Sequence, residues 1–187
     1  MYYGNWKWNK KYIELTPEEQ KFKNGLIRNI KLRKIVEIGV SKGGSSALIL
    51  NAIKDINGSK LYSIDKSTYC YWESNKKTGF IVEEKFPELL DKWSLYIGRI
   101  TSEFIETIGD GIDLVFIDTV YVKLGEMLGL LMVLPFLKNE DIVVFHDVFF
   151  LYYNKEVTKN KRHISNNQLL CYIRGDLILP QYGEHIF

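Results

Sequence analysis

KIVEIGVSKGGSS, residues 34–46, is the stretch that decides the fold. Its first half is a short apolar run rich in β-branched residues, which is typical of a buried parallel strand. Its second half carries Gly39, Gly43 and Gly44 and leads into a segment of helical periodicity. A buried strand, a glycine-rich turn and a helix in this order predict the opening of a parallel α/β unit.

Runs of the same type recur along the chain. Four further strands are predicted, at KLYSID (60–65), SLYIG (94–98), IDLVFID (112–118) and DIVVFHD (141–147). Helices are predicted at Pro17–Lys31, Ser45–Ile56, Val82–Trp93 (interrupted by Pro87), Thr101–Ile108 and Leu124–Leu137. Because strands alternate with single helices, right-handed crossovers should build one sheet covered on both faces. The predicted fold class is α/β, a Rossmann-like, doubly wound and mostly parallel sheet flanked by helices.

The two ends of the chain complete one predicted domain, residues 1–187. Residues 1–15 form an aromatic and basic N-terminal arm before a capping box made by Thr16 and Glu19. Near the other end, a helix is predicted at 166–173 and a strand at 176–179. Only YGEHIF (182–187) is left for the usual final antiparallel strand. We therefore expect a shortened C-terminal edge, with either an edge strand missing or a truncated chain.

Composition places the chain among ordinary globular proteins. The 187 residues are 46% hydrophobic and 26% charged, with a net charge of +2. Residues 1–34 carry nine Lys/Arg against three Asp/Glu, a count that a solvated amphipathic helix explains, so no nucleic-acid partner is expected. Cys70 and Cys171 form no CxxC pair, which fits a reducing, cytoplasmic setting. The apolar run 127–137 is far shorter than the ~20 residues of a spanning helix, so no transmembrane segment is expected.

Ligands of open α/β sheets bind beyond the carboxyl ends of the strands, and here those ends are polar. Asp65 ends the second strand, 22 residues after Gly43. A carboxylate there can accept both hydroxyls of a ribose, and the glycine turn allows close backbone approach. Together they indicate an adenosine-containing cofactor. In the alternative interpretation the glycines only form a turn and Asp65 is a solvated strand end.

The first strand favours a sulfonium cofactor over a dinucleotide. A dinucleotide site would show G-x-G-x-x-G, whereas the glycines here are Gly39, Gly43 and Gly44. Glu37 lies two residues before the first glycine. S-adenosylmethionine carries an ammonium and a sulfonium and no pyrophosphate, so an acidic strand end suits it.

Five segments carry a resemblance to a known family: EIGVSKGGSS, LYSID, IDLVFIDTVY, LPFLKNEDIVVFHD and QLLCYIRGDLILP. The chain resembles class I S-adenosylmethionine-dependent methyltransferases from about Thr16 to Pro180. It is most similar to the family-24-type methyltransferases, relatives of sugar and macrolide O-methyltransferases that often belong to polysaccharide or secondary-metabolite pathways.

The resemblance implies a set of cofactor-binding residues. The methionine part would lie on the loop from Glu37 to Gly44 and the following serine, the ribose on the second strand end, and the adenine beside residues 98–101. The residues concerned are Glu37, Gly39, Val40, Ser41, Gly43, Gly44, Ser45, Asp65, Gly98, Arg99 and Asp118. The implied acceptor is a hydroxyl of a sugar or another small polar metabolite. Related chains often carry a histidine where this one has Tyr121, so a histidine base is not expected there.

A second cluster, Asp118, His146 and Asp147, is the predicted catalytic centre. Asp118 and Asp147 could hold a magnesium ion that lowers the pKa of the acceptor hydroxyl. Without a metal, His146 is the best general base, because an unperturbed imidazole has a pKa of ~6.5. Alternatively, Asp147 caps the next segment and His146 is a hydrogen-bonded core residue.

Two further functions stay open beside a methyltransferase. One is a nicotinamide-dependent oxidoreductase, although this chain lacks the spaced glycines of such an enzyme and an evident Tyr-x-x-x-Lys or Cys/His site. A non-catalytic Rossmann-like binding module could use the aromatic arm as its contact. The expected partner is a small-molecule substrate, and we also consider a homodimer.

Overall fold

The computed structural model describes residues 13, 15–119, 125–138, 140–146, 169–173 and 176–178. The helices are α1 (Pro17–Ile30), α2 (Gly44–Ile53), α3 (Phe80–Lys85), α4 (Thr101–Ile108) and α5 (Gly125–Val133). The strands are β1 (Lys34–Ile38), β2 (Lys60–Asp65), β3 (Trp93–Ile97), β4 (Leu114–Ile117), β5 (Ile142–His146), β6 (Leu169–Ile173) and β7 (Asp176–Ile178). The five strands predicted from the apolar runs are confirmed.

The strands form one sheet in the order β3-β2-β1-β4-β5-β6-β7. The first five are parallel, and β6 and β7 are antiparallel. Strand order reverses between β1 and β4, because the chain leaves β1 for β2 and β3 on one side and returns to β4 on the other. A cleft opens at such a switch point beyond the carboxyl ends of the strands. The fold class is therefore the predicted doubly wound one.

Helices cover both faces of the sheet. One core joins Ile27 of α1 and residues of α2 and α3 to Ile35, Phe116 and Val144 of the sheet. The other core packs Ile105 of α4 and residues of α5 against the opposite face. Each strand thus places alternate side chains in the two cores.

The predicted helix at 166–173 is wrong, because its described part, Leu169–Ile173, is strand β6. This strand pairs with β5, with Cys171 opposite Val144. The edge of β5 offers a row of backbone donors and acceptors, and pairing with it overrides the local helical pattern. Strand β7 follows after only two residues, as in a β-hairpin. Among the described residues, the last strand of the sheet is the three-residue β7, and YGEHIF lies outside them.

Prolines divide two of the predicted helices. The Val82–Trp93 helix is instead α3 followed by a 3₁₀ helix at Pro87–Lys92, and Trp93 begins β3. In place of the predicted Leu124–Leu137 helix, the described residues show α5 followed by a 3₁₀ turn at Leu134–Phe136. Proline lacks the amide hydrogen that an α-helix needs in its interior, so each helix ends before it.

Within the described part of the chain, no helix has the length and apolar character required to cross a membrane.

Candidate functional site

A polar band crosses one face of the sheet near the carboxyl ends of its strands. Each member lies two residues beyond a core residue of the same strand, so it points to the face that α1 and α2 cover. The members are Glu37 in β1, Ser63 in β2, Asp118 directly after β4 and His146 in β5. The alternation of side chains along parallel strands therefore gathers these groups at the switch point.

The glycine turn is shaped by close backbone packing. A β-carbon on Gly39 would lie 1.7 Å from the carbonyl oxygen of Asp118, and one on Gly43 would lie 2.9 Å from Cα of Gly79. Both glycines have positive φ, 96° and 91°. At Gly43 the closely packed group is the protein's own backbone, and the predicted approach of this glycine to the cofactor stays a prediction. Gly44 begins α2 and is buried.

Asp65 holds the same turn through its carboxylate. Oδ2 accepts hydrogen bonds from the amides of Val40 (2.9 Å) and Ser41 (3.1 Å), and Oδ1 accepts one from Ser67 (2.8 Å). The amides of Val40 and Ser41 are therefore bonded within the protein. Asp65 is only partly buried, so its outer lone pairs can still meet a ribose. That contact stays a prediction, whereas the support of the turn is a role that the sequence did not indicate.

Glu37 is buried beneath the turn and is only 1% exposed. Its Oε2 accepts hydrogen bonds from Ser46 (2.5 Å) and Ser63 (2.8 Å). Burial raises the pKa of Glu37, although the charge of Lys23 and the hydroxyls of Ser46, Ser63 and Ser45 oppose that rise. Its other oxygen, Oε1, has no hydrogen-bond partner among the described residues. This buried oxygen is an acceptor that an ammonium group could use.

Lys23 of α1 is the largest group in the site that sequence reasoning missed. Its side chain is 1% exposed, its Nζ donates to Oγ of Ser45 at 2.9 Å, and it lies 4.4 Å from the centre of the Phe116 ring. A signal was present in the sequence. Lys23 lies four residues before Ile27 and four after Glu19, on the stripe that an amphipathic helix buries.

Helix α1 also supplies a carboxylate to His146. Nε2 of His146 lies 3.4 Å from Oε1 of Glu19, and Nδ1 lies 3.3 Å from Oδ1 of Asp118. Glu19 was predicted only as part of the capping box, which the structure confirms, because its Oε2 accepts from the amide and hydroxyl of Thr16. One oxygen of Glu19 thus caps the helix while the other faces the imidazole.

The electrostatics of the three groups follow from this geometry. Burial raises the pKa of Glu19, but the contact with His146 and its charge, together with the bonds from Thr16, leave that pKa below its usual value. Burial likewise raises the pKa of Asp118, and the charges of His146 and Lys23 outweigh it, so the net shift is downward. Asp118 has the most exposed side chain of the three, at 28%, against 9% for His146 and 1% for Glu19. A substrate can therefore reach the cluster from the Asp118 side.

The predicted magnesium site is only partly covered by the described residues, so it stays a prediction. Among them, no group of three or more His, Cys, Asp or Glu side chains is arranged to hold a metal ion. The Asp118 carboxylate faces an imidazole and feels the positive charge of Lys23, which supplies the compensation that a cation would otherwise give. Asp147, the second predicted ligand, and Tyr121 lie outside the described residues.

The predicted adenine border lies on the other side of the switch point. Gly98 directly follows β3, and its amide donates to the carbonyl oxygen of Asp65 at 3.0 Å. Arg99 is largely exposed and lies 3.5 Å from Glu103 of α4. The structure thus places Gly98 beside Asp65, and adenine contact by Gly98 or Arg99 stays a prediction.

The chain is similar to known methyltransferases in sequence pattern and in fold. A family model described as a methyltransferase domain matches residues 36–148. An O-methyltransferase from Bacillus cereus, solved in complex with SAH, has a TM-score of 0.59 and 17% identity, over 80% of this chain and 64% of that chain. The O-methyltransferase TomG from Streptomyces achromogenes, solved in complex with SAM, has a TM-score of 0.56 and 18% identity, over 81% of this chain and 63% of that chain. No curated protein matches.

These structural likenesses are distant and show the fold, and the chain spans a little under two thirds of the length of the two solved enzymes. The family model covers more than half of the chain, from β1 through the end of β5, and so includes every strand end of the polar band. The chain therefore belongs to the family of methyltransferase domains, a class of transferase enzymes.

Proposed function

We propose that the protein transfers a methyl group from S-adenosylmethionine to a hydroxyl of a sugar or another small polar metabolite. The observation that carries this proposal is the contact of His146 with Glu19 and Asp118 at the carboxyl edge of the sheet, beside the glycine turn. Acid-base groups next to a cofactor loop suit the deprotonation of an acceptor hydroxyl. The SAM and SAH held by similar solved enzymes support the choice of cofactor.

The residues around the turn fit the methyl donor. The buried Oε1 of Glu37 has no hydrogen-bond partner among the described residues and can accept from the donor's ammonium group. Asp65 would receive the ribose, and Gly98 and Arg99 would border the adenine. When bound, S-adenosylmethionine supplies an electrophilic methyl group on its sulfonium.

His146 acts as the general base in this proposal. The base in this proposal is the neutral imidazole with its proton on Nε2, towards Glu19, and with Nδ1 left to accept a proton. Asp118 lies beside Nδ1, and because its side chain is partly exposed, the acceptor hydroxyl can approach Nδ1 from that side. When the hydroxyl proton moves to Nδ1, the two carboxylates stabilise the imidazolium. Such proton transfer contributes about 10²- to 10⁴-fold in rate.

The test uses purified protein, S-adenosylmethionine and a panel of sugars and nucleotide sugars, with S-adenosylhomocysteine formation as the readout. We expect His146→Gln to lower kcat by at least about 100-fold on the acceptor that reacts, with little change in S-adenosylhomocysteine affinity. A wild type that binds no S-adenosylhomocysteine would refute the cofactor. Loss of activity on adding a chelator would refute a base acting without a metal.

A further inference from the structure

We propose that Lys23 and Ser45 receive the α-carboxylate of the methyl donor's amino-acid group. This inference rests on the proposed use of S-adenosylmethionine. It adds a residue of α1, outside the segment that the family model matches, to the cofactor site.

Contact between the two side chains brings a positive charge to the beginning of α2. Nζ of Lys23 donates to Oγ of Ser45 at 2.9 Å, and Ser45 is the second residue of that ten-residue helix. The first amides of a helix lack partners within the helix and carry partial positive charge, so they favour an anion. Ser45 itself is only partly buried, so a carboxylate can approach its hydroxyl.

The charges near Ser45 match those of an α-amino acid. Glu37 presents a buried oxygen without a hydrogen-bond partner among the described residues, which suits an ammonium group. Lys23 presents the opposite charge and is near enough to Glu37 to lower the pKa of that carboxyl group. An amino acid carries its ammonium and its carboxylate on one carbon, so two neighbouring groups of opposite charge can bind both at once.

A purely structural role for Lys23 is the competing explanation. Its positive charge lies near the negative charges of Glu37 and Asp118, and it contacts the Phe116 ring. Such a counter-ion would stabilise the fold and would not distinguish one ligand from another. A carboxylate-binding lysine should affect only ligands that carry the carboxylate, and this difference separates the two roles.

The experiment compares two ligands by calorimetry on the full chain. One is S-adenosylhomocysteine, and the other is its decarboxylated analogue, which keeps the ammonium and lacks only the carboxylate. We expect Lys23→Met to weaken S-adenosylhomocysteine about 10- to 100-fold, as for a lost hydrogen bond to a charged group, and to change the affinity for the analogue less than about threefold. Lys21→Met is the matched control, because Lys21 is exposed on the same helix, and it should change neither affinity.

Equal losses for both ligands, or no loss for either, would overturn the proposal. If Lys23→Met shows no cooperative unfolding, Ser45→Ala decides by the same comparison, since it leaves the buried charges in place. Selective loss of S-adenosylhomocysteine affinity in that variant supports the proposal, and any other result refutes it. A wild type that binds neither ligand would instead refute the proposed function itself.

Discussion

At the scale of single residues, the glycine turn after β1 packs directly against the backbone that follows β4. Gly39 follows β1 and lies so close to the Asp118 carbonyl after β4 that no β-carbon fits between them. Gly43 meets the backbone of Gly79 in the same way. The backbone conformation at both positions is one that residues with a side chain rarely adopt. These glycines therefore set the spacing of the chain around the site.

Substitution of Gly43 should lower the free energy of unfolding by more than its positive φ alone explains. Gly58 has a similar positive φ of 71°, but a β-carbon there would meet nothing within 4 Å, so Gly58→Ala isolates the backbone strain. We expect Gly58→Ala to lower the free energy of unfolding by about 1–2 kcal/mol, and Gly43→Ala by a further ~1–3 kcal/mol from the clash with Gly79. Urea unfolding measures both values. Equal losses in the two variants would contradict packing as the reason for Gly43.

At the scale of elements, α1 is both a support of the fold and a wall of the site. Its capping box fixes the first turn, and its buried stripe runs through Glu19, Lys23 and Ile27. Ile27 packs in the core, while Glu19 lies beside His146 of the polar band and Lys23 donates to Ser45 of α2. The same helical spacing thus serves packing at one end and chemistry at the other.

Glu19→Gln should reduce stability in a pH-dependent way. Glutamine can keep the capping bonds, so the variant removes mainly the charge that faces His146, and we expect a loss of about 1–2 kcal/mol in unfolding free energy at pH 6. The pKa of Glu19 is lowered in the folded protein, so its contribution is present above the unfolded pKa and is lost as the pH falls through the folded one. The difference in unfolding free energy between wild type and Glu19→Gln should therefore become smaller below about pH 4.5.

Glu18→Gln is the control for that experiment, since Glu18 occupies the same first turn but is exposed. It should change the unfolding free energy by less than about 0.5 kcal/mol at either pH. A gap between wild type and Glu19→Gln that stays constant down to pH 3 would show that the carboxylate charge contributes nothing through His146.

At the scale of the whole molecule, the reversal of strand order separates two kinds of chemistry. Asp65 and Gly98 lie on the β2 and β3 side, where a nucleoside would bind. Asp118 and His146 lie on the β4 and β5 side, where proton transfer would occur. The proposed cofactor would bridge these two halves over the glycine turn.

Ligand binding across the two halves should stabilise the entire domain. At 100 times its dissociation constant, S-adenosylhomocysteine adds about 2.7 kcal/mol to the unfolding free energy, which corresponds to a rise in Tm of roughly 5–11 °C for a domain of this size. Thermal unfolding with S-adenosylhomocysteine, NAD or neither measures the effect. A shift with NAD alone would support the oxidoreductase alternative and contradict the methyltransferase site.

Local sequence patterns determined much of this protein. Local patterns predict the five parallel strands, the capping box of α1 and the glycine turn. The apolar runs, the capping residues and the glycines that produce these features lie only a few positions apart along the chain. The strand ends that face the cleft follow from the same pattern. Asp118 and His146 could therefore be expected near each other before any coordinates.

Only the tertiary structure decided which distant groups complete the site. Glu19 and His146 are separated by 127 positions, and their contact depends on how α1 packs across the sheet. The same packing buries Lys23 against Ser45, and pairing with the edge of β5 makes residues 169–173 a strand where the local pattern predicted a helix. Contacts of this kind are set by packing between separate elements, whose position and angle no short stretch of sequence specifies.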